Sequence, residues 1–477
     1  MKKKTKRIII LVSLMVLSIL IMKDNLFMLF GEISIDSRLV KDISKFKEKS
    51  IYLENINENE IVNNEKNQKP INNSHNWGVD ACIKDIEFLK YYLEEAYAAY
   101  YYLDSKYNYA LKLEELKNSL KSKEEISKEE FENRIIDIFK DIPDGHFKIG
   151  EKIEKRNLNY YLSREEIEIK NNSYYLNGNK IRDIDYKNPD KFIRNYLNEN
   201  GDIQKRIIKE SKNNSGESCV INFDNGESKE ILLINIKRFL KYKERVGYKN
   251  RSICGIKFIE IDNFNICKQN EKFAEDAINL KAEDVLIIDL RNHSGGNEEY
   301  GIRWMENFLN KKFLLGRLSI HRTTNTATEG LKKAFKYFYG GEANINELNK
   351  FLKDFKSDKD KEGWKVEKNN DIGIINKQTI VFVLIDENTV SGGEMFVKML
   401  KELPNCIVVG IPTYGAVNVG NVSFFKLPNS KIQIQMGISL FLDKYGWIDN
   451  KGIYPDIWSG TKELPEKLIK YIDKICK

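Results

Sequence analysis

The spacing of apolar residues changes along this chain, and each change marks a different kind of structure. A cationic head, Met1-Lys-Lys-Lys-Thr-Lys-Arg7, precedes an apolar run from Ile8 to Met22. The run falls short of the roughly 20 residues that cross a bilayer core and has the form of a signal h-region. No Ala occurs before Ala81, so an A-x-A cleavage site is missing, and no Cys follows the run to carry a lipid. A second apolar patch, Leu26 to Phe30, extends it. The pattern predicts an uncleaved signal anchor over 1–30, with the positive head inside and the body exported. A cleaved signal peptide with an unusual site is the alternative, and it also places the body outside.

Residues 31–78 are polar, rich in Asn, Glu and Lys, and read as a linker. From Asp80 the spacing becomes helical: Cys82, Ile86, Leu89, Leu93 and Ala96/Tyr97 fall on one face. Ser127-Lys-Glu-Glu130 has the form of a capping box and opens a helix that buries Phe131, Ile135, Ile138 and Phe139. It stops before Pro143, in Asp141-Ile-Pro-Asp-Gly-His146. Residues 79–149 therefore read as a helical N-terminal domain.

From 150 to 245 the pattern is that of a small α+β module. Tyr174-Tyr-Leu-Asn-Gly-Asn-Lys-Ile181 is strand, Asn-Gly turn, strand. Asn188-Pro-Asp predicts a helix start, with Phe192 and Tyr196 on one side. Cys219-Val-Ile-Asn-Phe, Asp224-Asn-Gly226 and Ile231-Leu-Leu-Ile234 predict a hairpin.

The stretch 246–462 differs again. Val285-Leu-Ile-Ile288, Ile380-Val-Phe-Val-Leu-Ile385 and Cys406-Ile-Val-Val409 are short continuous apolar runs, as for strands buried on both faces. The first two lead through Gly-containing turns into helical patterns, Tyr300 to Leu309 and Met395 to Leu403. This alternation predicts an α/β layered domain with its site at the carboxyl ends of the strands. Thr323 to Asn370 is a charged helical insertion, Phe424 to Leu442 an antiparallel hairpin, and 463–477 a closing helix.

A length of 477 residues fits two or three domains. The net charge of +7 is spread along the chain, and no compact basic block lies beyond the first seven residues. That excludes a polynucleotide-binding surface. The six cysteines are scattered, without C-x-x-C or a His at ligand spacing, which argues against a zinc site and a disulfide scaffold. Cys254 and Cys267 either pair or, the reading taken here, stay free as core thiols like the rest. No metal or organic cofactor is implied.

Candidate chemistry lies in Asp386-Glu-Asn-Thr-Val-Ser-Gly-Gly-Glu394, on the turn between a buried strand and a helix. A Ser391 hydroxyl there stands among unpaired N–H groups at the positive end of the helix dipole, which favour a developing oxyanion. The same position also suits a plain N-cap serine. Asp289-Leu-Arg-Asn-His-Ser-Gly-Gly296 follows the other buried strand, and its two glycines suit a backbone that donates into a cleft. A serine nucleophile needs a base near neutral pKa. Only His75, His146, His293 and His321 are present, and His146 is either that base or a solvated turn residue.

Taken in order, Asp289-Leu-Arg…Gly295-Gly296, Glu387-Asn-Thr-Val-Ser-Gly-Gly-Glu394, Gly410-Ile-Pro-Thr-Tyr-Gly415 and Gly452-Ile-Tyr-Pro-Asp-Ile457 resemble one family. It is that of the tail-specific, or C-terminal-processing, serine peptidases with their tricorn-core-like relatives. The resemblance spans about 80 to 460. It implies a crotonase/ClpP-like layered catalytic domain, and the module around Asn177-Gly-Asn-Lys-Ile181 is similar to a degenerate PDZ-like insert. Ser391 matches the nucleophile. The C-terminal-processing branch places a Lys base just after the G-x-P-T-x-G stretch, where this chain has Ala416. The tricorn-like branch uses the His of a D-x-H stretch, matched by His146, and a carboxylate before G-I-x-P-D, matched by Asp449. The oxyanion hole falls to Gly392 with Gly295 or Gly296. Three departures stand out: Asp449 for the usual Glu, Gly145 for a Ser, and His293 for the usual Asn.

The expectation is a membrane-anchored or secreted serine endopeptidase with a Ser391–His146–Asp449 triad, acting on peptides or unfolded protein. Its rivals are a catalytically degenerate member serving as a peptide-binding module and a crotonase-like acyl-CoA enzyme.

Overall fold

The computed structural model describes residues 76–150, 158–340, 348–349, 351–353, 355, 363–370, 375 and 378–476. The expected anchor at 1–30 and most of the linker lie outside these residues. Among the described residues no helix is long and apolar enough to cross a membrane.

The centre is a run of parallel strands, Ile256–Glu260, Val285–Asp289, Ile380–Ile385, Cys406–Gly410 and Ile457–Trp458, paired in that order. Successive side chains of a strand point to opposite faces, and here both faces are covered. Leu286, Ile288, Val381, Val383 and Ile385 pack with the helices Lys268–Asp276, Glu299–Leu309 and Gly392–Leu400. Ile287, Phe382, Leu384 and Val409 pack on the other side with Leu464, Leu468 and Ile472 of the helix Leu464–Cys476. A strand with two buried faces has no polar positions, which is why these segments read as unbroken apolar runs.

Through Trp458↔Tyr196 the parallel strands continue into the strands of 159–235, so that among the described residues 14 strands form one path. The 159–235 strands close over an apolar core that includes Ile181, Ile184, Ile207, Ile221 and Ile231. Asn177 and Gly178 both take positive φ, as the Asn-Gly hairpin turn requires. The predicted helix after Asn188 is corrected: only one 3-10 turn, Pro189–Lys191, forms before the strand Ile193–Leu197. That strand pairs along its whole length with Ile203–Ser211, and the pairing outweighs the helix-like spacing of Phe192 and Tyr196.

A second, five-stranded sheet contains Arg317–Arg322, Trp364–Asn369, Val419–Lys426, Gln433–Leu442 and the short Lys148–Ile149. Trp364–Asn369 falls in the stretch expected to be a helical insertion, where helical residues run over Asn325–Tyr339 and recur at 348–349, 351–353 and 355. The N-terminal helices Val79–Ala96, Tyr100–Tyr107, Tyr109–Leu120 and Lys128–Phe139 share one core with this sheet, where Leu93, Phe131 and Ile135 join Phe425, Ile434 and Met436. Ser127 caps its helix by accepting from Glu130 N–H, but the Glu130 carboxylate goes to Lys123 and Arg134, so only half of the capping box forms. Cys254 and Cys267 are free but exposed, which corrects their reading as core thiols.

Candidate active site

Ser391 stands at the carboxyl end of Ile380–Ile385 and is the N-cap of Gly392–Leu400, with φ 52° and ψ −114°. A non-glycine residue in that conformation is strained and persists only where its surroundings fix it. The fixing is dense. Glu394 is fully buried, and its carboxylate accepts from Ser391 N–H at 2.9 Å, Thr413 Oγ1 at 2.5 Å, Gly415 N–H at 2.7 Å and Ala416 N–H at 2.9 Å. The Thr389 hydroxyl donates to the Leu290 carbonyl, and Val390 N–H to that of His293. The turn is thereby bound to the loop after the neighbouring strand.

That loop brings Gly295 and Gly296 beside the serine. A Cβ built on Gly295 would lie 3.0 Å from Ser391 Cβ, and one on Gly392 would lie 3.2 Å from the Gly296 nitrogen. Larger residues at these positions would push the two turns apart. The expected donors divide. Gly295 N–H is taken by His293 Nδ1 at 3.1 Å, whereas the N–H groups of Gly296 and Gly392 meet no acceptor among the described residues.

His146 arrives from the other core. Its Nε2 lies 3.1 Å from Ser391 Oγ, although the two residues are 245 positions apart. The loop after Lys128–Phe139 carries it, fixed by His146 N–H on Asp144 Oδ1 at 2.7 Å and by Gln435 Nε2 on the His146 carbonyl at 2.7 Å. Burial drives the imidazole pKa down to about 4. Nδ1 is sealed from solvent without a hydrogen-bond partner of good geometry, and the nearby Val419 backbone gives the charged ring modest support.

Asp449 is buried next to this loop. The segment carrying it grips the histidine loop through Trp447 Nε1 on the Pro143 carbonyl at 2.9 Å and Asn450 Nδ2 on that of Ile142 at 2.8 Å. Its carboxylate Oδ1 accepts from Val417 N–H at 2.6 Å and Asn418 N–H at 2.7 Å, and Oδ2 lies 3.4 Å from Val419 N. No hydrogen bond joins it to the ring; the two groups meet only through Val419. Asp144, not singled out from the sequence, accepts from Tyr97 OH at 2.8 Å, and burial raises its pKa to about 6. Burial, then the Asp144 charge, also pushes Asp449 well above the usual carboxylate range. Two buried carboxyls and one uncharged imidazole thus share a desolvated corner. Glu394 was visible as a motif residue, but its four-fold anchoring role was not; the S-x-x-E spacing from Ser391 is the signal that points to it.

A strained serine on a strand-to-helix turn, an imidazole against its hydroxyl and two backbone N–H groups without an acceptor among the described residues make an arrangement suited to serine-type hydrolysis. Residues 255–459 match the family model described as peptidase family S41. Over those residues, somewhat under half of the chain, it is similar to that family of serine-type peptidases. Ser391, Asp449 and the three glycines lie within the match, and His146 lies outside it.

Among solved structures the chain is similar to mature CPAF complexed with lactacystin, at 14% identity over 84% of this chain and 98% of that one, with a TM-score of 0.41. It is similar to the photosystem II D1 C-terminal processing protease at 13% identity over 83% and 97%, with a TM-score of 0.38. The tricorn protease matches at 11% identity over 83% of this chain and 37% of its own length, with a TM-score of 0.36. No curated protein matches the sequence.

Proposed function

We propose that the protein is an extracytoplasmic serine endopeptidase that cleaves peptides or unfolded protein through Ser391, His146 and Asp449. The observation that carries this reading is the 3.1 Å approach of His146 Nε2 to Ser391 Oγ, joining two separate cores at one point. Ser391 Oγ attacks a peptide carbonyl while its proton passes to Nε2. The carbonyl oxygen becomes an oxyanion held by the N–H groups of Gly392 and Gly296. Collapse returns the proton from Nε2 to the leaving amine, and water then hydrolyses the acyl-enzyme by the same relay. Each oxyanion donor contributes about 3 kcal/mol to lowering the barrier.

Asp449 acts on the charged ring. Once the imidazolium forms, a cation stands near the Asp144 and Asp449 carboxyls, and both gain from ionising. The N-terminal pattern supports attachment to a membrane with this domain outside, and sequencing the mature N-terminus tests that. The strand-rich module of 159–235 suits selection of extended substrate by strand addition.

A serine-directed peptidyl phosphonate tests the chemistry. Covalent labelling of the wild type, abolished by Ser391→Ala, is the expected result. An unlabelled wild type that still binds unfolded peptide would instead identify a degenerate peptidase serving as a binding module.

A further inference from the structure

His293 stands where the resemblance leads one to expect Asn, and it is completely buried between the two glycine turns. Its backbone N–H donates to the Leu290 carbonyl at 3.2 Å, and its carbonyl accepts from Val390 N–H at 2.9 Å. The residue therefore bridges the glycine loop and the nucleophile turn. The ring is wedged in place: Phe264 stands edge-on at 4.5 Å, and a Cβ built on Gly393 would reach 2.6 Å from Nδ1.

Nδ1 accepts the Gly295 N–H at 3.1 Å, so the proton of the neutral ring is on Nε2. On the other side of Gly295, its carbonyl accepts from Phe264 N–H at 2.7 Å. Both peptide groups flanking Gly295 are thus clamped, the first by the imidazole and the second by Phe264. In a trans peptide the N–H points opposite to the carbonyl. Fixing the Gly295 carbonyl on Phe264 consequently turns the Gly296 N–H away from Phe264, and the Gly296 nitrogen lies beside Gly392.

We infer that His293 is the positioning residue of the oxyanion hole: its Nδ1 holds the Gly295 N–H out of the cleft and sets the Gly296 N–H, with that of Gly392, for the oxyanion. This rests on the serine-peptidase reading above. It also accounts for the departure from Asn. An asparagine carries an acceptor oxygen on Cγ, where histidine carries Nδ1, so either side chain meets the same N–H. The second ring nitrogen adds nothing to this role, and it is buried without a partner.

The test is steady-state peptide hydrolysis by His293→Leu and His293→Asn, with binding of a peptide aldehyde as transition-state mimic. His293→Leu should lower kcat about 10- to 100-fold, less than the 10²–10³-fold of losing a donor outright. KM should change by less than about threefold. Aldehyde affinity should fall in parallel with kcat/KM, and His293→Asn should recover most of both. The acid limb of the pH profile should stay in place, because His293 handles no proton. If the Leu variant fails to fold, His293→Gln, whose acceptor sits one bond further out, replaces it with the same expectation. A folded Leu or Gln variant with wild-type kcat, or an Asn variant as impaired as Leu, overturns the inference. A wild type inert to every peptide and to the phosphonate sinks the peptidase reading itself, so the two failures are distinct.

Discussion

The Ser391 turn and the His146 loop, which supply the reacting groups under the proposed function, are fastened in different ways. Ser391 lies between a strand buried on both faces and a helix, and Glu394 and Thr389 tie its backbone to two neighbouring loops. His146 lies on a loop between the N-terminal helices and the five-stranded sheet, held by one carboxylate and one carboxamide on its main chain while ring Nδ1 has no partner. The nucleophile is placed by covalent neighbours and backbone hydrogen bonds. The base is placed by the packing of one layer against another. Small displacements should therefore damage the base side first.

The largest effect belongs to the reacting pair itself. Ser391→Ala and His146→Ala should each lower kcat by on the order of 10⁵–10⁶-fold, and the double variant should be no worse than either. A double variant far below both singles would mean that the two groups act independently, and the comparison would fail. Asp449→Asn should cost less, on the order of 10³-fold in kcat with little change in KM, because its carboxylate touches backbone and not the ring. A change confined to melting temperature would reduce Asp449 to a support for residues 417–419.

Gly145 sharpens the contrast at smaller scale. A Cβ there would lie 2.5 Å from the Gly415 carbonyl oxygen and 2.7 Å from Ala416 Cβ. Gly145 thus rests against Ala416, the position at which the resemblance places the lysine of the C-terminal-processing branch. Gly145→Ala must push the loop off Gly415, and a displacement of about 1 Å can cost 10²-fold. A fall in kcat of about 10- to 100-fold is expected, with phosphonate labelling slowed and not abolished. A Ser391-side substitution of equal volume that proved more damaging would reverse the ranking.

The strand, turn and helix around Ser391 were legible in the sequence because they are contiguous. An apolar run, a Ser-Gly-Gly turn and a helical pattern occupy one stretch, and each has a local physical meaning. His146 was not legible in this way. Locally it is a turn histidine, and only the resemblance connected it to a residue 245 positions away. Phe192 and Tyr196 imitate a helical face, but their strand is dictated by a partner at Ile203–Ser211 that no local window contains. Trp364–Asn369 was hidden for another reason. It is an edge strand rich in Lys and Glu, with Val366 facing solvent, so its pattern resembles a charged surface and not a buried face. The hold of Asp449 on the N–H groups of 417–419 depends on backbone geometry and leaves no mark in residue type.

The smallest effect, and the one that separates the two sides most finely, is in pH. His146 must be neutral to accept the serine proton, and burial lowers its pKa from the usual 6.5 to about 4. The acid limb of kcat/KM should therefore fall near pH 4, not near 6.5. Stability should not follow the same course. A histidine with a depressed pKa contributes stability that is present above 6.5 and lost as pH falls through about 4. Asp144, raised from 3.8 to about 6 by burial, contributes in the opposite sense: its stability is present below 3.8 and lost as pH rises through about 6. Between pH 4 and 6 these two slopes oppose, so their joint contribution to the melting temperature is small while activity persists to its limb. Asp144→Asn removes one slope, so relative to the wild type its melting temperature should fall further as pH drops from 6.5 towards 4, with the kinetic limb unmoved. A limb at 6.5 in the wild type would show that the ring is solvated during turnover, and the His146 loop would then be looser still than its single unpaired nitrogen implies.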